Sequence, residues 1–311
     1  MTARAWIITT IAFTLALLAA IASVDAAIDL FGIFRNPAGR RLQGYGDDRV
    51  AKYLLSERYV PANFNSIVVG SSVSANWNTG QIDCFKVYNE SINGANVVEE
   101  KTIADQALTS SRIKLAILVV HPFLTSSHEF ETVKVTPREN LAALGSLNLL
   151  DAYKEKIHSD LYHGGGTFDE FGTYDLGDAH REMNLVLKKL MATQGNFNVD
   201  PIALKAERDL IAELRGANIP IVYVVPPLSQ SLYESKADSF AAYSRLILGN
   251  KLDRENIIDF TSPEFQAFRQ DGGNFSDGVH LTVRGARQIV AEINRQLCDW
   301  TRTGQLSGTA K

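Results

Sequence analysis

Cysteine is scarce in this chain, and the scarcity excludes two classes at once. With only Cys84 and Cys298 in 311 residues, the fold is not a disulfide-stapled scaffold and holds no cysteine-ligated zinc or iron–sulfur centre. In an exported protein the two could pair; they are equally well explained as small buried apolar side chains. The six histidines show no metal-ligand spacing, so no metal or other cofactor is expected. An excess of one charge is also missing. The 31 basic and 35 acidic residues leave a formal charge of -4, without the basic stripe that nucleic-acid binding requires, so nucleic acid is not an expected partner. No internal repeat is visible. At this length one α/β core with insertions is the default organisation.

What the chain does have begins at its N-terminus. After Arg4, the twenty residues Ala5 to Val24 carry no charge, and as a helix they would span about 30 Å. That length suits a single-pass membrane anchor. Val24-Asp25-Ala26 followed by Ala27 also offers small residues where a secretory signal would be cut. Residues 1–27 are therefore read as anchor or signal. Arg35, Arg40 and Arg41 beyond the span oppose export by the positive-inside rule, but the order of basic start, apolar run and small residues favours it. The expectation is a cytoplasmic-membrane protein with its body on the periplasmic or extracellular side.

Residues 28–64 read as a turn-rich juxtamembrane segment ending in a helix from Asp48 to Tyr59. Five short apolar runs follow: Ser66 to Val69, Lys86 to Tyr88, Ile113 to Val120, Ile219 to Val225 and Asn256 to Phe260. Helical patterns separate them at Val97 to Leu108, Pro201 to Arg215 and Ala237 to Leu248. Near-continuous apolar strands alternating with helices predict an α/β fold of three layers, α/β/α, around a central parallel sheet of about five strands. The body is expected over 65–300, with a helical insertion over about 122–200 and a disordered polar tail over 301–311. Two helices are expected inside the insertion, Leu141 to Leu161 and Leu176 to Met191, joined by His163-Gly164-Gly165-Gly166. That glycine run spells a lipase oxyanion motif, but the G-x-S-x-G elbow such a motif accompanies is absent, so a helix-terminating turn is the better reading.

Open parallel sheets place their sites beyond the carboxyl ends of their strands. Ser72 lies past the first strand, Asn89 to Gly94 past the second, His121 at the end of the third, and Asp277 with His280 past the fifth. Nucleophile, base and orienting acid are the parts that acyl transfer through serine requires. Gly70-Ser71-Ser72, Asn89-Glu90-Ser91-Ile92-Asn93-Gly94 and Asp277-Gly278-Val279-His280 together resemble the SGNH (GDSL-like) hydrolase superfamily over roughly residues 65–298. The Gly-Ser-Ser variant of the first block resembles the membrane-anchored D-alanyl-transfer proteins of teichoic acid modification and polysaccharide-associated relatives.

The resemblance implies Ser72 as nucleophile, His280 as base and Asp277 as its orienting acid, with backbone N–H groups of Ser72 and Gly94 as oxyanion hole. The third block departs from the family, since Val119-Val120-His121-Pro122 stands where an asparagine is usual. His121 could donate to the oxyanion or cap the strand end; Asn93 is a further possible contact. The implied function is an esterase or O-acyltransferase for acyl groups, acetyl above all, on surface polysaccharide. A polysaccharide biosynthesis complex is the implied setting. The alternative is a catalytically weak glycan-binding or assembly module, and a lipid esterase is a third, smaller option.

Overall fold

The computed structural model describes residues 2–126, 147–162, 164–177, 188, 191–192 and 195–306. Helix α1, Ala3–Ile28, is the apolar run of the N-terminus, with mean hydropathy 2.4 over its most apolar window and none of that window buried in the body. By length and composition it can cross a bilayer. Five strands follow in the body: β1 Ser66–Val69, β2 Val87–Asn89, β3 Leu115–Val119, β4 Ile221–Val225 and β5 Asn256–Asp259. They form one sheet in the order β2-β1-β3-β4-β5, every pair parallel. β1, β2, β3 and β4 are buried along their whole length, which is why their sequences run apolar without alternation.

The helices of the body are α2 Asp48–Asn63, α3 Val97–Leu108, α4 Leu147–Tyr162, α5 Pro201–Gly216, α6 Gln230–Leu248, α7 Gln266–Gln270 and α8 Val283–Thr303. Crossovers between parallel strands are right-handed, so α3, α5 and α6, each carrying the chain from β2 toward β5, share one face. α3 packs against both α2 and α5 there. The step from β1 to β2 runs the other way and puts residues 70–86 on the opposite face, where α8 packs on the turn Thr79–Gln81. The result is the expected three-layer α/β/α fold.

Several local expectations change. β3 and β4 are shorter than their apolar runs, and β4 starts at Ile221 because Pro220 has no N–H for the ladder; only its carbonyl joins, accepting from Ala116. α6 begins at Gln230 rather than Ala237, its first two turns being too polar to show a helical period except at Leu232, which is buried. The chain does not become irregular at Thr301: α8 continues to Thr303, Gly304 caps it at φ 73°, and Leu306 is buried beyond it. Residues 28–64 are built into the core, with Leu30, Phe31, Tyr45, Leu54, Leu55 and Tyr59 in the main apolar cluster. Cys84 and Cys298 are paired. Within the insertion, α4 ends where Gly164 N–H donates to Ser159 O at 3.0 Å and Ser159 Oγ donates back to Gly164 O at 2.6 Å. The second expected helix, Leu176 to Met191, lies almost entirely outside the described residues.

Candidate active site

The first element of the site is the turn after β1. Gly70 lies so close to its surroundings that a Cβ would come within 2.3 Å of Ser74 Oγ and 2.9 Å of Val119. Glycine therefore lets the chain leave the sheet tightly and present Ser72, half-buried, at its edge. The second element is the loop after β2. Asn89 is fully buried, its Nδ2 donating to Ser74 O at 2.8 Å and Trp77 O at 3.1 Å, its Oδ1 accepting from Ser91 N–H at 3.0 Å. The β2 loop is thereby fixed to the Ser72 turn, and Ile92 N–H adds a bond to Gly70 O at 3.4 Å.

The third element is the loop ahead of α8, closed by a bridge between Phe275 and Leu281 and by Ser276 N–H donating to His280 O at 2.8 Å. Gly278 takes φ 93°, a conformation open to glycine. Asp277 Oδ1 accepts from the backbone N–H groups of His280, at 2.8 Å, and Val279, at 3.1 Å. Its Oδ2 lies 2.6 Å from His280 Nδ1, and His280 Nε2 lies 2.8 Å from Ser72 Oγ. Burial works to raise the Asp277 pKa, but the bond and charge interaction with His280 and the two backbone N–H groups hold it below the usual carboxylate range. An ionised Asp277 accepts Nδ1–H and leaves Nε2 as the acceptor facing Ser72. Asn76 Nδ2 donates to Leu281 O at 2.7 Å and ties the Ser72 turn to the His280 loop.

Of the groups singled out from the sequence, Ser72, Asp277 and His280 come together as one hydrogen-bonded chain. Gly94 is exposed at φ 65°, and among the described residues neither its N–H nor that of Ser72 has a protein acceptor. Asn93 is half-exposed beside it. His121 is placed differently. It is 1% exposed, its Nδ1 accepts from Phe123 N–H at 3.3 Å, and its Nε2 is enclosed without a partner. Phe123 packs on it at 4.5 Å between ring centres, so His121 caps the turn after β3 and its outer nitrogen is shut off from any ligand in this conformation.

The helix starting at Asp48 was expected from the sequence, but its bracing of the β2 loop from behind was not. Lys52 of α2 is fully buried, and its Nζ donates to Asn89 O and Ser91 O, both at 2.6 Å, and to Gly172 O at 2.9 Å. Three carbonyl acceptors match the three N–H donors of an ammonium; a neutral amine would have only two. Lys52 is therefore charged in this arrangement, although burial pulls its pKa down to about 8 against Glu90 and Glu100. Both carboxyls are buried beside the loop, and burial raises both, Glu90 to about 8. The signal was present, since Lys52 interrupts the apolar run Val50-Ala51-Lys52-Tyr53-Leu54-Leu55.

No protein-family model and no curated protein matches the chain. Among solved structures, a protein from Streptococcus pneumonia described as a candidate platelet activating factor aligns over 80% of this chain and 90% of its own, at 12% identity and TM-score 0.44. A lipase/acylhydrolase from Enterococcus faecalis aligns over 79% of this chain and 98% of its own, at 9% identity and TM-score 0.37. Likeness at this level carries no argument about activity, which rests on the geometry above.

Proposed function

We propose that the chain is an SGNH-type serine esterase or O-acyltransferase working through an acyl-Ser72 intermediate. The observation that carries this reading is the unbroken chain from Asp277 Oδ2 through His280 to Ser72 Oγ, with bonds of 2.6 and 2.8 Å. Ser72 Oγ attacks the ester carbonyl carbon while its proton passes to His280 Nε2, and Asp277 steadies the imidazolium that forms. The resulting oxyanion is met by the unoccupied N–H groups of Ser72 and Gly94. Collapse breaks the ester bond, and the alcohol leaves with the proton from His280. Water or a sugar hydroxyl then gives its proton to His280, attacks the acyl-serine and restores Ser72.

The substrates we infer are acyl groups, acetyl above all, on cell-surface polysaccharide. α1 serves as a single-pass anchor in the cytoplasmic membrane, with the body, residues 65–300 together with the packed 28–64 segment, on the outer side. The Cys84–Cys298 disulfide supports that side, because structural disulfides persist in oxidising compartments. The enclosed Nε2 of His121 favours the second reading, a catalytically weak glycan-binding or assembly module, since it leaves two oxyanion donors where the family has three.

One experiment separates the two. The full chain in detergent is treated with a fluorophosphonate probe and assayed for acetate release from aryl acetates and acetylated glycans. Labelling and turnover in the wild type, both lost in Ser72→Ala and His280→Ala, are the expected result. A wild type that neither labels nor turns over any ester leaves the binding module as the function. Turnover only when a glycan acceptor is added identifies the transferase.

A further inference from the structure

We infer that Arg49, on the helix following the membrane-spanning run, is a positioning residue for the oxyanion hole. It aims and polarises the Gly94 N–H through the peptide bond behind it. The inference deepens the serine-hydrolase reading and rests on it. Arg49 Nη2 donates to Asn93 O at 3.2 Å and to Gly94 O at 3.0 Å. The peptide joining Asn93 to Gly94 is trans, as all peptides among the described residues are. In a planar trans peptide the carbonyl and the N–H point in opposite directions. Holding Asn93 O toward α2 therefore turns Gly94 N–H away from α2.

The β2 loop is also bonded to the Ser72 turn, by the Ile92 N–H bond to Gly70 O and by a 2.8 Å contact between Ser91 Oγ and Ser74 Oγ. Gly94 is free to take its φ of 65° because it has no Cβ, and the nearest atom to where one would stand is Arg49 Nη2 itself, at 3.8 Å. A cation on the carbonyl also draws electron density along the peptide, which makes the opposite N–H a stronger donor.

Arg49 is well fixed for this task. Its Nε donates to Glu99 Oε1 at 3.1 Å and its Nη1 to Asp48 Oδ1 at 3.3 Å, and its side chain is 12% exposed. Burial would weaken its charge, but Glu99 and Asp48 keep its pKa above the ordinary arginine value. Glu99 in turn closes the capping box of α3 with Asn96. The guanidinium thus locks the starts of two helices to the two peptides on either side of Gly94, and the third oxyanion donor that the sequence lacks is offset by strengthening the second.

The test compares the wild type, Arg49→Met, Arg49→Lys, Ser72→Ala and a control ion-pair variant at the far end of the sheet, Arg215→Met. Each full-length protein is measured for kcat and KM on an aryl acetate and on the matching thionoester, together with its thermal unfolding. Sulfur accepts hydrogen bonds poorly, so a damaged oxyanion hole lowers the ester-to-thionoester rate ratio, whereas general destabilisation does not. Arg49→Met should lose roughly tenfold or more in kcat, short of the hundredfold or greater loss of a deleted donor, with KM little changed and the rate ratio reduced. Arg49→Lys should recover part of both, and Arg215→Met should change neither. Overturning the inference takes an Arg49→Met protein with kcat within twofold of the wild type and an unchanged ratio. If Arg49→Met does not fold, Arg49→Lys decides: a ratio equal to the wild type overturns the inference, and a reduced one supports it. Activity that survives in Ser72→Ala would instead sink the underlying hydrolase reading.

Discussion

His121 stands one ring away from the candidate base, and its burial sets how the protein responds to acid. Burial, with a further contribution from His280, lowers its pKa to about 3, while in the unfolded chain a histidine titrates near 6.5. Between those values the unfolded state binds a proton that the native state does not, so stability is fully present above about pH 6.5 and falls as pH drops toward 3. The slope for one proton is about 1.4 kcal/mol per pH unit. Glu207 and Glu90, buried and raised to about 8, act in the opposite sense: they add stability below the ordinary carboxylate pKa and lose it as pH rises toward 8. The wild-type curve is therefore a sum, and the difference from His121→Asn isolates one member. The asparagine Oδ1 can take the Phe123 N–H as Nδ1 does. Urea unfolding from pH 7 to pH 4 should show a gap between the two proteins that changes by about one proton's slope across the window. Parallel curves would mean that His121 is not buried as a neutral ring.

At the scale of elements, α2 separates what was legible in the sequence from what was not. Its start at Asp48 was readable from the amphipathic pattern, and Asp47 caps it by accepting from Arg49 and Val50 N–H. The Ser72 turn was readable because it directly follows a short apolar strand, and the Asp277–His280 loop because it stands immediately ahead of an amphipathic helix. The use of Lys52 and Arg49 was hidden, since their acceptors are carbonyls 37 and 45 residues away that carry no side-chain signal. Only the tertiary packing of α2 against the β2 loop reveals them. The energetic consequence is large for a single side chain. Lys52→Met would leave three buried carbonyls without their donor, a loss on the order of 3–5 kcal/mol at about 1–3 kcal/mol for each unsatisfied buried group. Denaturant unfolding should show that loss. A change below about 1 kcal/mol would remove Lys52 as the brace of the loop.

Across the whole molecule, the two segments that carry the candidate site, residues 70–86 and the stretch from Phe275 through α8, are held together at both ends. Near the site, Asn76 bonds Leu281 O; at the far end, the Cys84–Cys298 disulfide joins residues 214 apart in sequence, and Asp83 and Asn294 exchange two bonds of 2.9 Å beside it. α8 begins directly after His280 and ends just past Cys298, so the disulfide fixes the helix that follows the base onto the segment that follows Ser72. The sequence left open whether the two cysteines pair, because pairing across such a separation depends on the full wrap of the sheet. A loop of this length lies where chain entropy makes a cross-link most effective, with about 5 kcal/mol as the upper figure and about 2–5 kcal/mol as the usual loss on removing a native bridge. Cys84→Ala with Cys298→Ala, and wild type treated with reductant, should therefore unfold at lower denaturant by matching amounts. The hydrogen bonds among Ser72, His280 and Asp277 do not involve the bridge, so fluorophosphonate labelling of the folded double variant should proceed at the wild-type rate at 25 °C. Equal stability of the oxidised and reduced chains would show that the two segments are held without the bridge, and would remove the disulfide as support for an oxidising compartment.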